Sequence, residues 1–97
     1  MREAKIEKYL KQKAEQYHGI CIKCSSFGFN GVPDRIVLMD GKVYFVELKA
    51  PGKKTRKLQK YVHDLFRFHG VTVYVIDTMK GVDDFIHEIC TSRLSDS

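Results

Sequence analysis

The sequence predicts an α/β fold with the element order α-β-β-β-α-β-α and a mixed four-stranded sheet flanked by helices. Apolar residues recur at helical spacing near both ends of the chain, and an Asp-Gly dipeptide joins two strand-like runs in the middle. A strand, a helix and a strand then follow with short connections, which predicts a right-handed crossover between parallel strands. The sheet should therefore combine an antiparallel hairpin with a parallel pair.

Length and composition limit the classes of protein. The 97 residues, 43% of them hydrophobic, fit one domain over residues 1–91, followed by a disordered tail at residues 92–97. The net charge of +5 suits a polyanionic partner without identifying it. The charged N-terminus is unlike a secretory signal, and no run approaches the ~20 apolar residues of a membrane span. We expect a cytoplasmic protein with no membrane partner and no small-molecule substrate.

The cysteines predict reduced thiols instead of a disulfide framework, because Cys21, Cys24 and Cys90 are odd in number. The CxxC spacing of the first two is that of a zinc half-site. However, they fall in a predicted strand, where residues three apart point to opposite faces, and no second CxxC follows.

The first helix is predicted over residues 3 to 18 and ends at Gly19. Its apolar stripe consists of Ile6, Leu10, Ala14 and Tyr17. Glu7 lies about 60° from Leu10 around the helix, so it can lean toward the core. A solvated charge or an i,i+4 pair with Lys11 is the plainer interpretation, and Glu3 is a similar candidate.

The first strand is predicted at Ile20–Ser26, where apolar and polar residues alternate. A glycine-containing loop, residues 27–31, follows it. Phe27 and Phe29 in this loop could stack on nucleic-acid bases or cap the core. Pro33 lacks an N–H donor and suits the first position of the next strand.

The central hairpin joins Asp34–Met39 to Lys42–Lys49 through Asp40-Gly41. A two-residue loop pairs Leu38 with Val43, Ile36 with Phe45 and Asp34 with Glu47. A three-residue bulged loop would instead make Asp34 a diagonal neighbour of Glu47. Both faces of the second strand are mainly apolar near its middle, which predicts a sheet covered on both sides.

The hairpin brings charged residues to one patch of the sheet. Facing carboxylates of Asp34 and Glu47 would repel each other, and Lys49 lies on the same face as Glu47. A divalent cation is one partner that would offset this repulsion. A salt bridge from either acid to Lys49, without any ligand, is the structural alternative.

The remaining elements complete the fold. A helix capped by Thr55 should run to Phe68, followed by a strand at Val71–Ile76 and a last helix near Gly81–Thr91. The predicted inward residues of these helices are Leu58, Val62, Leu65, Phe66, Val82, Phe85, Ile86 and Ile89. The four histidines have no metal-ligand spacing and should mostly lie at the surface or at helix ends.

Basic residues are concentrated directly after the carboxylates. Between Lys49 and Arg67 a single acid, Asp64, accompanies Lys49, Lys53, Lys54, Arg56, Lys57, Lys60 and Arg67. A run of this kind is usually a solvated helix face, but here it adjoins the proposed cation site, as phosphate binding requires. Gln59 lies in the first turn of the same helix and is either a site residue or an ordinary surface glutamine.

These residues resemble a known family. Pro33-Asp34 and Glu47-Leu-Lys49 match the PD-(D/E)XK nuclease motif, a short pattern with low specificity. The longer strings Gly31-Val-Pro-Asp-Arg35, Val46-Glu-Leu-Lys-Ala-Pro-Gly52 and Leu58-Gln59 resemble the virus-type replication-repair nuclease (VRR-NUC) family, over roughly Met1–Ile89. Thr55 and Lys57 depart from it, because prolines are frequent at these positions. The resemblance implies a restriction-endonuclease-like core and a phage origin.

The resemblance also implies an activity: a Mg²⁺- or Mn²⁺-dependent endonuclease acting on branched DNA, with four-way (Holliday) junctions as the leading substrate. The implied metal ligands are Asp34, Glu47, the Leu48 carbonyl and, through water, Glu7. Lys49 and Gln59 would be catalytic. The expected DNA contacts are Phe29, Asn30, Lys53, Lys54, Arg56, Lys57 and Lys60. A homodimer would supply two sites for two strands. The rival interpretation is a non-catalytic DNA-binding or accessory module of a recombination or packaging complex.

Overall fold

The computed structural model describes residues 3–24 and 30–95, with side chains described as far as Thr91. Its elements are α1 (Glu3–Gln16), β1 (Ile20–Lys23), β2 (Arg35–Met39), β3 (Lys42–Leu48), α2 (Lys57–Phe68), β4 (Val73–Ile76) and α3 (Met79–Ser95). The strands lie in the order β1-β2-β3-β4, with antiparallel pairing from β1 to β3 and β4 parallel to β3. The predicted α/β class, element order and mixed sheet are confirmed.

The hairpin between β2 and β3 has the register predicted from a two-residue loop. Leu38 pairs with Val43, and the ladder ends where Arg35 pairs with Val46. Asp40 and Gly41 have φ angles of 54° and 76°, and positive φ at both central residues is the signature of a type I′ turn. Asp34 therefore lies one residue beyond the last pair, on the side where Glu47 follows Val46.

The main core lies between one face of the sheet and the two terminal helices. The stripe of α1 and the inward face of α3 are buried as predicted, apart from Tyr17, which lies beyond the end of α1 and is exposed. The buried members of this core are Ile6, Leu10, Ala14, Val37, Met39, Val46, Leu48, Ile76, Val82, Phe85, Ile86 and Ile89. In the parts of the chain that are described, no helix is both long and apolar enough to cross a membrane.

The other face of the sheet is only partly covered. Helix α2 packs over it, with the Phe45 and Phe66 ring centroids 5.3 Å apart. Three side chains on β1 and the hairpin stay open to solvent, because α2 does not extend over them: Ile20 is 56% exposed, Ile22 43% and Val43 55%. The prediction of a sheet covered on both sides is wrong for this region, which we call the open sheet face (Ile20, Ile22 and Val43).

The helix ends differ from the predicted ones. Helix α2 begins at Lys57 with Arg56 as its N-cap instead of Thr55, because the Gln59 side-chain oxygen accepts a hydrogen bond from the Arg56 N–H at 3.1 Å. Leu58, predicted to be inward, is 51% exposed. Helix α3 continues to Ser95, so the predicted disordered tail starts inside this helix; residues 96–97 lie outside the described part of the chain.

The hairpin turn provides a test of the backbone geometry. Replacing Gly41 with alanine should destabilise the protein by about 1 kcal/mol, because alanine disfavours the positive φ of this position. An added Cβ would meet nothing within 4 Å, so the loss would come from the backbone alone. Gly41→Asn is the matched control, since asparagine tolerates this conformation better. Urea unfolding that ranks alanine equal to or above asparagine would contradict the assigned turn.

Candidate active site

Asp34 and Glu47 line one pocket at the end of the central strands. The pocket has a volume of about 460 Å³, and its walls include Asn30, Asp34, Glu47, Arg56, Leu58 and Gln59. The strand β3 and the start of α2 meet here, so the hairpin supplies both acids and the helix supplies the opposing wall. The juxtaposition predicted from the hairpin register is therefore present.

Asp34 is held in place by the neighbouring backbone and by Arg35. Its Oδ1 accepts a hydrogen bond from the Leu48 N–H at 3.1 Å, which ties it to the last residue of β3. Its Oδ2 lies 3.1 Å from Nη1 of Arg35. The carboxylate remains 29% exposed, so it can still meet a ligand in the pocket.

Glu47 is buried and bonded through one oxygen to two residues of the site. Gln59 donates from Nε2 to Glu47 Oε2 at 3.2 Å, and the Lys49 ammonium lies 3.6 Å from the same oxygen. Lys49 also donates to Oε1 of Gln59 at 2.6 Å. The predicted site residues Glu47, Lys49 and Gln59 thus form one hydrogen-bonded cluster, and the Lys49–Glu47 pair considered as a structural alternative is part of it.

The electrostatics of Glu47 reflect this crowded position. Burial raises the pKa of Glu47 to about 7, and the nearby negative charge of Asp34 adds to the rise. Lys49 acts in the opposite direction, and the charge of Glu3 on α1 makes a smaller contribution to the rise. The site therefore favours additional positive charge beside its two carboxylates.

Glu7, the acid of α1 that the family resemblance favoured, is paired with Arg35. Oε2 of Glu7 lies 2.7 Å from Nη2 of Arg35, instead of pairing with Lys11. Arg35 is 3% exposed, and its Nη1 also donates to the Asp34 carbonyl at 2.9 Å. Arg35 therefore links α1 to Asp34, and Glu7 is connected to the site through its contact with Arg35.

The donor set of the pocket fits a hard divalent cation. Two carboxylates and main-chain carbonyls are oxygen ligands of the kind that Mg²⁺ and Mn²⁺ prefer. The Asp34 side chain is partly exposed in the pocket, and Oε2 of Glu47 lies beside Gln59, which also lines the pocket. Among the described residues, no group of three or more His, Cys, Asp or Glu is arranged to hold a metal. A cation here would therefore depend on two acids, a carbonyl and water.

The predicted DNA contacts divide into two groups. Asn30 and Arg56 line the pocket, whereas Lys53, Lys54, Lys57 and Lys60 are exposed around the start of α2. The arrangement provides positive charge beside the carboxylates. Phe29 and the rest of residues 25–29 lie outside the described part of the chain.

Three residues near the site were missed by the sequence analysis. His63 was expected at the surface but is only 1% exposed, Leu58 lines the pocket instead of the core, and Arg35 is the buried link described above. A signal existed for His63: it follows Gln59 by four residues, so a helix that turns Gln59 toward Glu47 turns His63 inward as well. For Arg35 the signal was strand alternation, which places it on the same face of β2 as the buried Val37 and Met39.

The raised pKa of Glu47 gives a testable pH dependence in metal-free protein. Its folded-state pKa of about 7 exceeds the usual value of 4.5. The stabilisation from the protonated form is therefore fully present below about pH 4.5 and lost as the pH rises through about 7. Glu47→Gln does not titrate and serves as the reference. Urea unfolding should show the wild type losing stability relative to this variant across that window; a constant difference would contradict the assignment.

Comparisons with known proteins identify relatives of this chain by sequence and by fold. No family profile matches the sequence. The chain is 43% identical over 79 residues to a protein named "Putative nuclease p44" from Acyrthosiphon pisum secondary endosymbiont phage 1, covering 80% of this chain and 85% of the relative. It also matches a solved structure described as "VRR_NUC domain" with a TM-score of 0.81 and 36% identity, over 88% of this chain and 94% of the other. The fold and the sequence identity together place this chain in the VRR-NUC family.

Proposed function

We propose that this protein is a metal-dependent, structure-selective DNA endonuclease that hydrolyses phosphodiester bonds. The observation that carries the proposal is the pocket in which Asp34 faces Glu47 while Lys49 and Gln59 are bonded around Glu47. The names of its relatives, a nuclease and a VRR-NUC domain, support the same chemistry. A cytoplasmic location, in the host cell for a phage protein, follows from this function.

The proposed cofactor is Mg²⁺ or Mn²⁺. Asp34, Glu47 and the Leu48 carbonyl would be its ligands, and Glu7 would act through water while Arg35 fixes its position. When bound, the cation would supply the charge that lowers the pKa of the attacking water and offsets negative charge on the phosphate. The proposal is supported by the oxygen-only donor set and by the raised pKa of Glu47, which cation binding would oppose.

Lys49 and Gln59 would act together on the substrate side of Glu47. The Lys49 side chain is 13% exposed and its ammonium donates to Gln59, so the direction of the ammonium is restricted before substrate arrives. In this position it can neutralise phosphate charge or orient the attacking water. Gln59 is hydrogen-bonded to both Lys49 and Glu47, so it would fix the position of one side chain relative to the other. The expected products are a 5′-phosphate and a 3′-hydroxyl, as in the family.

The proposed substrate is branched DNA, with four-way junctions first among the candidates. Lys53, Lys54, Arg56, Lys57 and Lys60 would contact phosphates beside the pocket, and Asn30 would meet the strand inside it. Phe29 stays a contact predicted from the sequence alone. Phosphate contacts of this type position a duplex without reading its sequence. Selectivity would therefore depend on the shape of the DNA.

The proposed assembly is a homodimer. A chain of 97 residues presents one site and a small footprint, and two copies related by a two-fold axis would present two sites to two strands. The open sheet face supports this proposal. It is apolar and uncharged, so it can pack against its own copy, and two of its residues lie on β1, one of the two edge strands of the sheet.

A cleavage assay tests the proposed activity. With Mg²⁺ or Mn²⁺, the protein should cut a four-way junction or a 5′ flap faster than plasmid or single-stranded DNA. Asp34→Asn and Lys49→Ala should each lower the rate by at least about 100-fold, since even the outer partners of a metal site are worth about 10–100-fold. Junction binding measured by fluorescence anisotropy should persist in both variants, because the exposed basic residues are unchanged.

Matched controls separate chemistry from general charge effects. Asp84→Asn makes the same change at an exposed acid of α3 that pairs with Lys80, and it should leave cleavage unchanged. EDTA should abolish cleavage by the wild type. Folded wild-type protein that binds junctions but cuts none of the substrates would contradict the enzyme and favour a DNA-binding or accessory module.

The oligomeric state in solution tests the proposed homodimer. Light scattering should show a dimer at micromolar concentration, and Val43→Lys should convert it to a monomer by placing a charge in the open sheet face. Val75→Lys is the control, because Val75 is a 45% exposed valine on β4, at the opposite edge of the sheet from β1. A wild-type protein that stays monomeric, even when bound to junction DNA, would contradict the homodimer.

A further inference from the structure

His63 is a buried polar residue that approaches a different oxygen of Glu47 from the one to which Gln59 donates. It lies on α2, one turn after Gln59, and only 1% of it is exposed. Its Nε2 atom is 3.9 Å from Oε1 of Glu47, whereas Gln59 donates to the other oxygen, Oε2. The two oxygens of Glu47 therefore have different neighbours.

Both facing atoms lack a hydrogen-bond partner. His63 Nε2 and Glu47 Oε1 are buried, and neither has a partner among the described residues. A buried polar atom without a hydrogen-bond partner is unfavourable, so two such atoms side by side are expected to bond to each other. The gap exceeds a hydrogen bond by about 1 Å, which a small rotation of either side chain would close.

We propose that His63 is a positioning residue for Glu47, donating a hydrogen bond from Nε2–H to Oε1 so that Oε2 is the oxygen presented to a cation in the pocket. The inference rests on the proposed function and names a residue that supports its ligand. A metal-ligating carboxylate is generally oriented by such a partner, and loss of that partner weakens metal binding. His63 would supply this support from inside the protein, where water cannot replace it.

The environment of His63 fits the role of a neutral donor. Burial is the main cause that lowers the pKa of His63, and the positive charges of Arg67 and Lys49 act in the same direction. A neutral imidazole carries a single ring proton. Because an ionised Glu47 can only accept, that proton must be on Nε2 for the two groups to bond. The arrangement therefore specifies one of the two imidazole tautomers.

Metal affinity separates this role from simple packing. Calorimetric titration of the full-length protein with Mn²⁺, without DNA, should show that His63→Leu weakens binding by about 10–100-fold, whereas His63→Gln, which retains a side-chain donor, stays within about threefold of the wild type. Folding is checked by circular dichroism. A folded His63→Leu variant with unchanged Mn²⁺ affinity would overturn the proposal, as would equal losses in both variants.

The ring proton can be located without any variant. In ¹⁵N-labelled wild-type protein at pH 8, where Glu47 is ionised, two-bond ¹⁵N–¹H correlation spectra of the imidazole should show the proton of His63 on Nε2. A proton on Nδ1 would overturn the proposal even if His63→Leu failed to fold. Wild-type protein that binds no Mn²⁺ would contradict the proposed function instead, and the tautomer would still decide the His63–Glu47 contact.

Discussion

The side chain of Gln59 is the contact on which the arrangement of the site depends. Its amide donates to Glu47, and its carbonyl oxygen accepts from Lys49 and from the Arg56 N–H. One residue therefore fixes where α2 begins, how α2 is turned toward the sheet and how the two charges on β3 are held. A buried carboxylate beside an ammonium is costly unless each is hydrogen-bonded, and Gln59 meets that requirement for both.

A second link enters from the opposite side. Arg35 contacts Glu7 on α1 and both the carboxylate and the carbonyl of Asp34, so the position of Asp34 depends on the packing of the first helix. The pocket is thus bounded by contacts to two helices that pack on opposite faces of the sheet. Its geometry is a property of the whole fold, although its acids come from one hairpin.

The hairpin could be predicted better than the rest of the fold, because its turn and register depend on residues that are close in the sequence. Asp40-Gly41 specifies a turn with positive φ at two residues, and that turn fixes the register which brings Asp34 next to Glu47. The rotation of α2 about its own axis was harder to predict, because it depends on a hydrogen bond from Gln59 to Glu47, which lies on a different element. For this reason Leu58 and Thr55 were misassigned and His63 was missed. The exposure of the open sheet face likewise depends on where α2 packs on the sheet, and the sequence of α2 alone does not specify that position.

Anomalous diffraction from a crystal soaked in Mn²⁺ would show whether Asp34 and Glu47 hold the proposed divalent cation. We expect an anomalous peak in the pocket, next to oxygens of Asp34 and Glu47 and to the Leu48 carbonyl, with Oε1 of Glu47 turned toward His63. A crystal that shows no peak in this pocket at saturating Mn²⁺, or in which Glu47 remains bonded to Lys49 and Gln59 while manganese binds elsewhere, would contradict it.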